Sequence, residues 1–76
     1  MKLKPLPPNK VIKTLEKMGF QKVRQKGSHI FMRHPDGRTT LIPVYRGEDI
    51  GKGLLRKIIR DVKAKRGEFL KLAEEV

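Results

Sequence analysis

Two histidines carry whatever acid–base chemistry this chain performs near neutral pH. It has no cysteine, and histidine is the side chain whose ordinary pKa, about 6.5, lies in that range. His29 follows Gly27-Ser28 and opens the run Ile30-Phe31-Met32. A side chain at the first position of a strand, just past a tight glycine turn, is held by paired backbone yet lies near the sheet's end, where a ligand reaches it. Such a histidine could cut RNA without a metal, taking the 2′-hydroxyl proton while nearby cations stabilise the phosphorane. Lys26, Arg33 and Arg38 are the closest basic residues in sequence and are expected to hold the phosphate, with Ser28 beside them in the turn. The same position also suits a half-exposed strand histidine with no chemical duty.

The other candidates are weaker. His34 precedes Pro35 in a turn, where a structural role suffices. A zinc site built from His29 and His34 has only Asp36 nearby as a further ligand, so no metal and no cofactor is expected. Gly47 to Gly53 superficially looks like a phosphate loop. Its glycine spacing is one residue short of the Walker pattern, and Gly53 stands where a serine or threonine should bind magnesium. Nothing distinguishes Glu48 and Asp49 from an ordinary polar loop.

Charge points to a partner class. The 76 residues hold 19 Lys plus Arg against 8 Asp plus Glu, a net +11 and a pI near 10.5. So large an excess in so small a domain concentrates polyanions around it. Nucleic acid is the default polyanion. The basic residues spread along the chain and do not form the single amphipathic anchor that an anionic membrane would select. A solvated, lysine-rich surface is the plain alternative, and an acidic protein partner is compatible with either. Without a continuous apolar stretch at the N-terminus or a run of roughly 20 apolar residues, neither a signal peptide nor a membrane span is expected. The expected location is the cytoplasm.

The elements that must position His29 follow from periodicity. Residues 1–8 read as an extended lead-in set by Pro5, Pro7 and Pro8. Val11, Ile12, Leu15 and Met18 recur at helical spacing, which predicts a helix over roughly 8–19 closed by Gly19. Residues 21–26 then read as a half-exposed strand with Val23 apolar between Lys22 and Arg24, followed by a type II′ turn at Gly27-Ser28. A second strand spans 29–33, and His34-Pro35-Asp36-Gly37 has the form of a type I turn. A third strand, rich in β-branched residues, spans 38–43. After a loop over 46–52, Gly53 is the expected N-cap of a second helix with Leu54, Leu55, Ile58, Ile59 and Val62 as its apolar stripe. Arg56, Arg60 and Lys63 form a basic ridge on it, a candidate RNA-binding stripe, and Gly67 is expected to break it before a last acidic turn or two.

This order, α-β-β-β-α, makes one α+β domain over 1–76, a two-layer sandwich with helices on one face of a meander. The double-stranded RNA-binding fold has the same element order. The core is expected from a few aliphatic side chains with Phe20, Phe31 and Phe69. Tyr45 is the one exposed aromatic expected to stack a base.

The residues also match a family. Gly19-Phe20, Arg24-Gln25-Lys26-Gly27-Ser28-His29, His34-Pro35-Asp36-Gly37-Arg38-Thr39-Thr40, Pro43, Ile50, Gly53 and Leu55-Arg56-Lys57-Ile58 together resemble the HicA toxins of HicAB toxin–antitoxin pairs. The likeness runs from about Val11 to Leu70 and rests on Gly-Ser-His followed by His-Pro-Asp-Gly-Arg. It implies a double-stranded-RNA-binding-like fold and an mRNA interferase that cleaves without a metal through the histidine of Gly-Ser-His, here His29. It also implies an acidic-surfaced HicB antitoxin that occludes the site. Two positions depart from the family's pattern. Tyr45 stands where a second histidine is common, and a phenol is a poor proton shuttle at neutral pH; Leu54 stands where threonine is common. Two other classes stay open: a non-catalytic RNA-binding module, and an interaction protein whose charge serves only its partner.

Overall fold

The computed structural model describes residues 3–76. Its elements run α1 (Pro8–Lys17), β1 (Gln21–Lys26), β2 (His29–Arg33), β3 (Thr39–Pro43), α2 (Lys52–Asp61) and α3 (Arg66–Glu74). The strands form an antiparallel sheet in the order β1-β2-β3. Ile30, Met32, Thr40 and Ile42 alternate inward along β2 and β3 and are buried under the helices. The fold is α+β, consistent with the double-stranded RNA-binding class.

Each end of α1 has a local cause. Pro8 opens the helix, where its missing N–H is not needed. At the other end Gly19 takes φ +100°, its N–H donates to Glu16 O, and Phe20 N–H donates to Leu15 O, both at 3.0 Å. This paired closure turns Phe20 back into the core, where it is buried. A side chain at Gly19 would also meet the His34 ring, with a Cβ only 2.8 Å from Nε2.

The C-terminal half differs from the sequence reading. The second helix starts earlier, with Gly51 as N-cap in place of Gly53; Gly51 is extended and its carbonyl accepts the Leu55 N–H at 2.9 Å. The helix also ends earlier, at Asp61 with Val62 as its C-cap, and Lys63 enters the left-handed region at φ 55°. That conformation costs an L-residue roughly 1–2 kcal/mol. It is offset by bonds from Lys63 N–H to Arg60 O and from Ala64 N–H to Ile59 O, and by Arg38 Nη1, which donates to Val62 O at 2.6 Å. Lys63 therefore lies past the helix, and the basic ridge is reduced to Arg56 and Arg60.

Gly67 does not break a helix; it sits in the first turn of a third one. There Phe69, Leu70 and Ala73 provide an apolar face that is buried, with α3 packed on α1. Tertiary burial outweighs a glycine cost of about 1 kcal/mol. The lead-in is also part of the core. Leu6 and Ile50 exchange backbone hydrogen bonds of 3.1 and 2.7 Å, and Leu3, Leu6 and Ile50 are buried. Phe20 and Phe69 are core residues as expected, whereas Phe31 is only half-buried and faces the uncovered side of the sheet.

Candidate active site

Strand register decides which side chains meet on the uncovered face. On β2, residues alternate, so His29, Phe31 and Arg33 share the side opposite Ile30 and Met32. Across the β2–β3 ladder they face Pro43, Leu41 and Thr39. Across the β1–β2 ladder, Lys26 pairs with His29 and Arg24 with Phe31. A bulge between Lys22 and Arg24 creates this pairing, since it leaves Val23 without a partner. Unbroken alternation from Lys22↔Met32 would have set Val23 opposite Phe31 and turned Arg24 and Lys26 to the other face. The expectation of residues 21–26 as a half-exposed strand is thus corrected: β1 is an edge strand, exposed throughout.

The β1–β2 hairpin then sets His29 itself. Gly27 takes φ +58° at the first position of the two-residue loop and Ser28 does not, as a type II′ turn requires. Ser28 O accepts the Val44 N–H at 2.6 Å, which draws the segment after β3 over the hairpin end. Tyr45 is thereby placed edge-on to His29, with ring centroids 5.9 Å apart and planes at 83°. His29 is half-buried; Lys26 and Tyr45 are exposed. Together with Arg24, Phe31, Leu41 and the Gly27-Ser28 turn they line an open groove of about 480 Å³. Among the described residues no carboxylate lines it. A phosphate entering this groove meets cations and an imidazole and nothing of its own sign.

Of the residues expected from sequence, the groove gathers Lys26, Ser28, His29 and Tyr45. Arg33 shares the uncovered face but lies four residues along β2, about 13 Å away. Arg38 is not at the groove. It sits beyond the far end of β2, where Nε donates to Asp36 Oδ2 at 2.8 Å, Nη1 caps α2, and the guanidinium lies 5.2 Å from the Phe20 ring centroid. Arg56 and Arg60 lie on the exposed side of α2, and α2 packs against β3 on the covered face of the sheet. Sequence reasoning missed Arg24, Phe31 and Leu41. The spacing of His29 and Phe31 was the available signal for one of them; the bulge left no such signal for Arg24.

The His34-Pro35-Asp36-Gly37-Arg38 segment forms a separate cluster. His34 N–H and Arg38 O bond at 2.8 Å, Gly37 N–H donates to His34 O, and the His34 ring meets Phe20 edge-on at 5.2 Å. The Arg38 backbone N–H, and then its guanidinium, hold the Asp36 carboxyl below the usual carboxylate range. This cluster ties the β2–β3 turn to the ends of both α1 and α2. Among the described residues no three His, Asp or Glu side chains gather as a metal-ligand set, and no helix is long and apolar enough to cross a membrane.

Residues 8–64 match the family described as the HicA toxin of bacterial toxin–antitoxin. No curated protein matches the sequence.

Proposed function

The chain belongs to the HicA toxin family and is the toxin of a toxin–antitoxin system; from that premise we propose that it is a metal-independent endoribonuclease that cuts mRNA with His29. The observation that carries this reading is His29 itself, half-buried at a hairpin end in a groove lined, among the described residues, by cations and no carboxylate. An imidazole nitrogen there takes the 2′-hydroxyl proton, the 2′ oxygen attacks the adjacent phosphorus, and the P–O5′ bond breaks. The products are a 2′,3′-cyclic phosphate and a 5′-hydroxyl that leaves with a proton from water. Lys26, one ladder step across from His29, neutralises the charge that builds on the phosphorane.

His29→Ala separates catalysis from binding. A positioned acid–base group contributes about 10²–10⁴-fold to rate, whereas one polar contact is worth on the order of 1 kcal/mol in affinity. The variant should therefore lose cleavage of a labelled single-stranded RNA in chelator while keeping its fold and most of its RNA affinity. Wild-type protein that binds RNA but leaves it whole, in chelator or in magnesium, refutes the enzyme reading. It would support a non-catalytic RNA-binding module, which Tyr45 beside His29 in place of a second imidazole favours.

The antitoxin partner is read as a HicB-like protein with an acidic surface that covers this groove, since opposite charge steers a +11 chain to it. The product of the adjacent gene and RNA should then compete for the chain in a titration. Simultaneous binding with no mutual loss of affinity rules out occlusion.

A further inference from the structure

We propose that the groove beside His29 is a nucleobase subsite, in which one unpaired base next to the cleaved phosphate stacks on Phe31 and Leu41. The proposal rests on the ribonuclease reading and gives a role to three residues that reading leaves idle.

Among the described residues the exposed large hydrophobics are Val23, Leu41 and Tyr45, at 54%, 46% and 48% exposure. Leu41 and Tyr45 border the same groove as Phe31, a half-buried ring that no helix covers. Together they make a small apolar floor on a strongly charged chain. The rim states what ligand. Arg24 and Lys26 stand along one side, and among the described residues no lining residue is acidic. An apolar centre with a cationic edge complements a flat aromatic group carrying an anion, which is the chemistry of a nucleotide.

The Arg24 guanidinium lies over the open face of the ring, 5.7 Å from the Phe31 centroid. Guanidinium planes and aromatic rings are the two side-chain surfaces on which splayed bases stack. As a base arrives on Phe31, Arg24 moves to the flanking phosphate. Phe31 and His29 are two residues apart on one face of β2, roughly 7 Å along the strand, so a base on Phe31 and a phosphate at His29 belong to neighbouring parts of one strand. At about 480 Å³ the groove lies low in the roughly 300–1,000 Å³ range of small-ligand clefts. It suits one nucleotide and not a duplex, whose base faces are already stacked. The substrate is therefore single-stranded at the cut.

The test uses fluorescence anisotropy with a short single-stranded 2′-O-methyl RNA, which lacks the nucleophile and is not cleaved. The intact oligonucleotide is compared with versions made abasic at each position in turn. Wild type should lose affinity on the order of tenfold at one position, the one flanking the site at which unmodified RNA is cut. Phe31→Ala should lose a similar factor on the intact strand and become indifferent to the abasic position, and Phe31→Tyr should behave as wild type. Leu41→Ser, at an exposed position, supplies the same test if Phe31→Ala fails to fold by circular dichroism. Wild type that cleaves RNA yet is indifferent to every abasic substitution overturns the subsite and leaves the ribonuclease standing. Variants that keep RNA affinity but lose the adjacent gene's product overturn it too, and mark the groove as a protein-docking surface. Wild type that neither binds nor cuts RNA removes both readings.

Discussion

Tyr45 faces His29 from the segment that follows β3, edge-on and 5.9 Å away. An imidazole in its place could return a proton to the leaving 5′ oxygen, the general-acid role that histidine fills most often. Tyr45→His should therefore raise the single-turnover cleavage rate, by roughly tenfold or more if protonation of the leaving group limits it. An unchanged rate would show that His29 and the groove's cations already suffice, and would assign Tyr45 to substrate contact alone.

At the scale of elements, the β2–β3 turn acts as a staple. Arg38 bonds the Val62 carbonyl, pairs with Asp36 and lies against Phe20, so one side chain ties the turn to α2 and to the segment closing α1. A cation at a helix C-terminus is favourable in its own right. Charged hydrogen bonds of this kind are worth roughly 1.5–3 kcal/mol net. Arg38→Ala should lower the melting temperature by about 10 °C, given about 4–8 °C per kcal/mol for a domain this small, with RNA affinity little changed. A loss of affinity at an unchanged melting temperature would return Arg38 to the phosphate-binding role that its sequence position suggested.

The whole molecule carries +11, and its basic residues include Arg24, Lys26 and Arg33 on the open sheet face and Arg56 and Arg60 on the exposed side of α2. With an estimated ~4 phosphate contacts, log affinity for single-stranded RNA should fall against log salt with a slope of roughly −3. Arg24→Ala with Lys26→Ala should reduce that slope by about 1.4, because each lost contact removes about 0.7. For a strand only long enough to cross the groove, Arg56→Ala with Arg60→Ala should leave it unchanged. An equal reduction from the helix pair would mean that RNA runs round onto the helical layer, and a flat salt response would end the electrostatic account.

The sequence by itself determined the family, the three-stranded meander, the first helix with Gly19 closing it, and His29 at the head of its strand. These depend on local signals: apolar periods of 3.6 and 2, glycine at turns, and a motif of adjacent residues. It did not show where α2 ends, because Lys63 adopts a left-handed conformation that its own side chain disfavours and that Arg38, far away in sequence, helps to secure. Nor did it show that Gly67 sits inside a helix, since burial of Phe69 and Leu70 against α1 overrides local propensity. The groove is the sharpest case. Strict alternation would have put Val23 beside Phe31; one unpaired residue in an edge strand inverts the faces after it and delivers Arg24 and Lys26 to His29 instead. A bulge is a property of two strands in register, and only the folded sheet has a register.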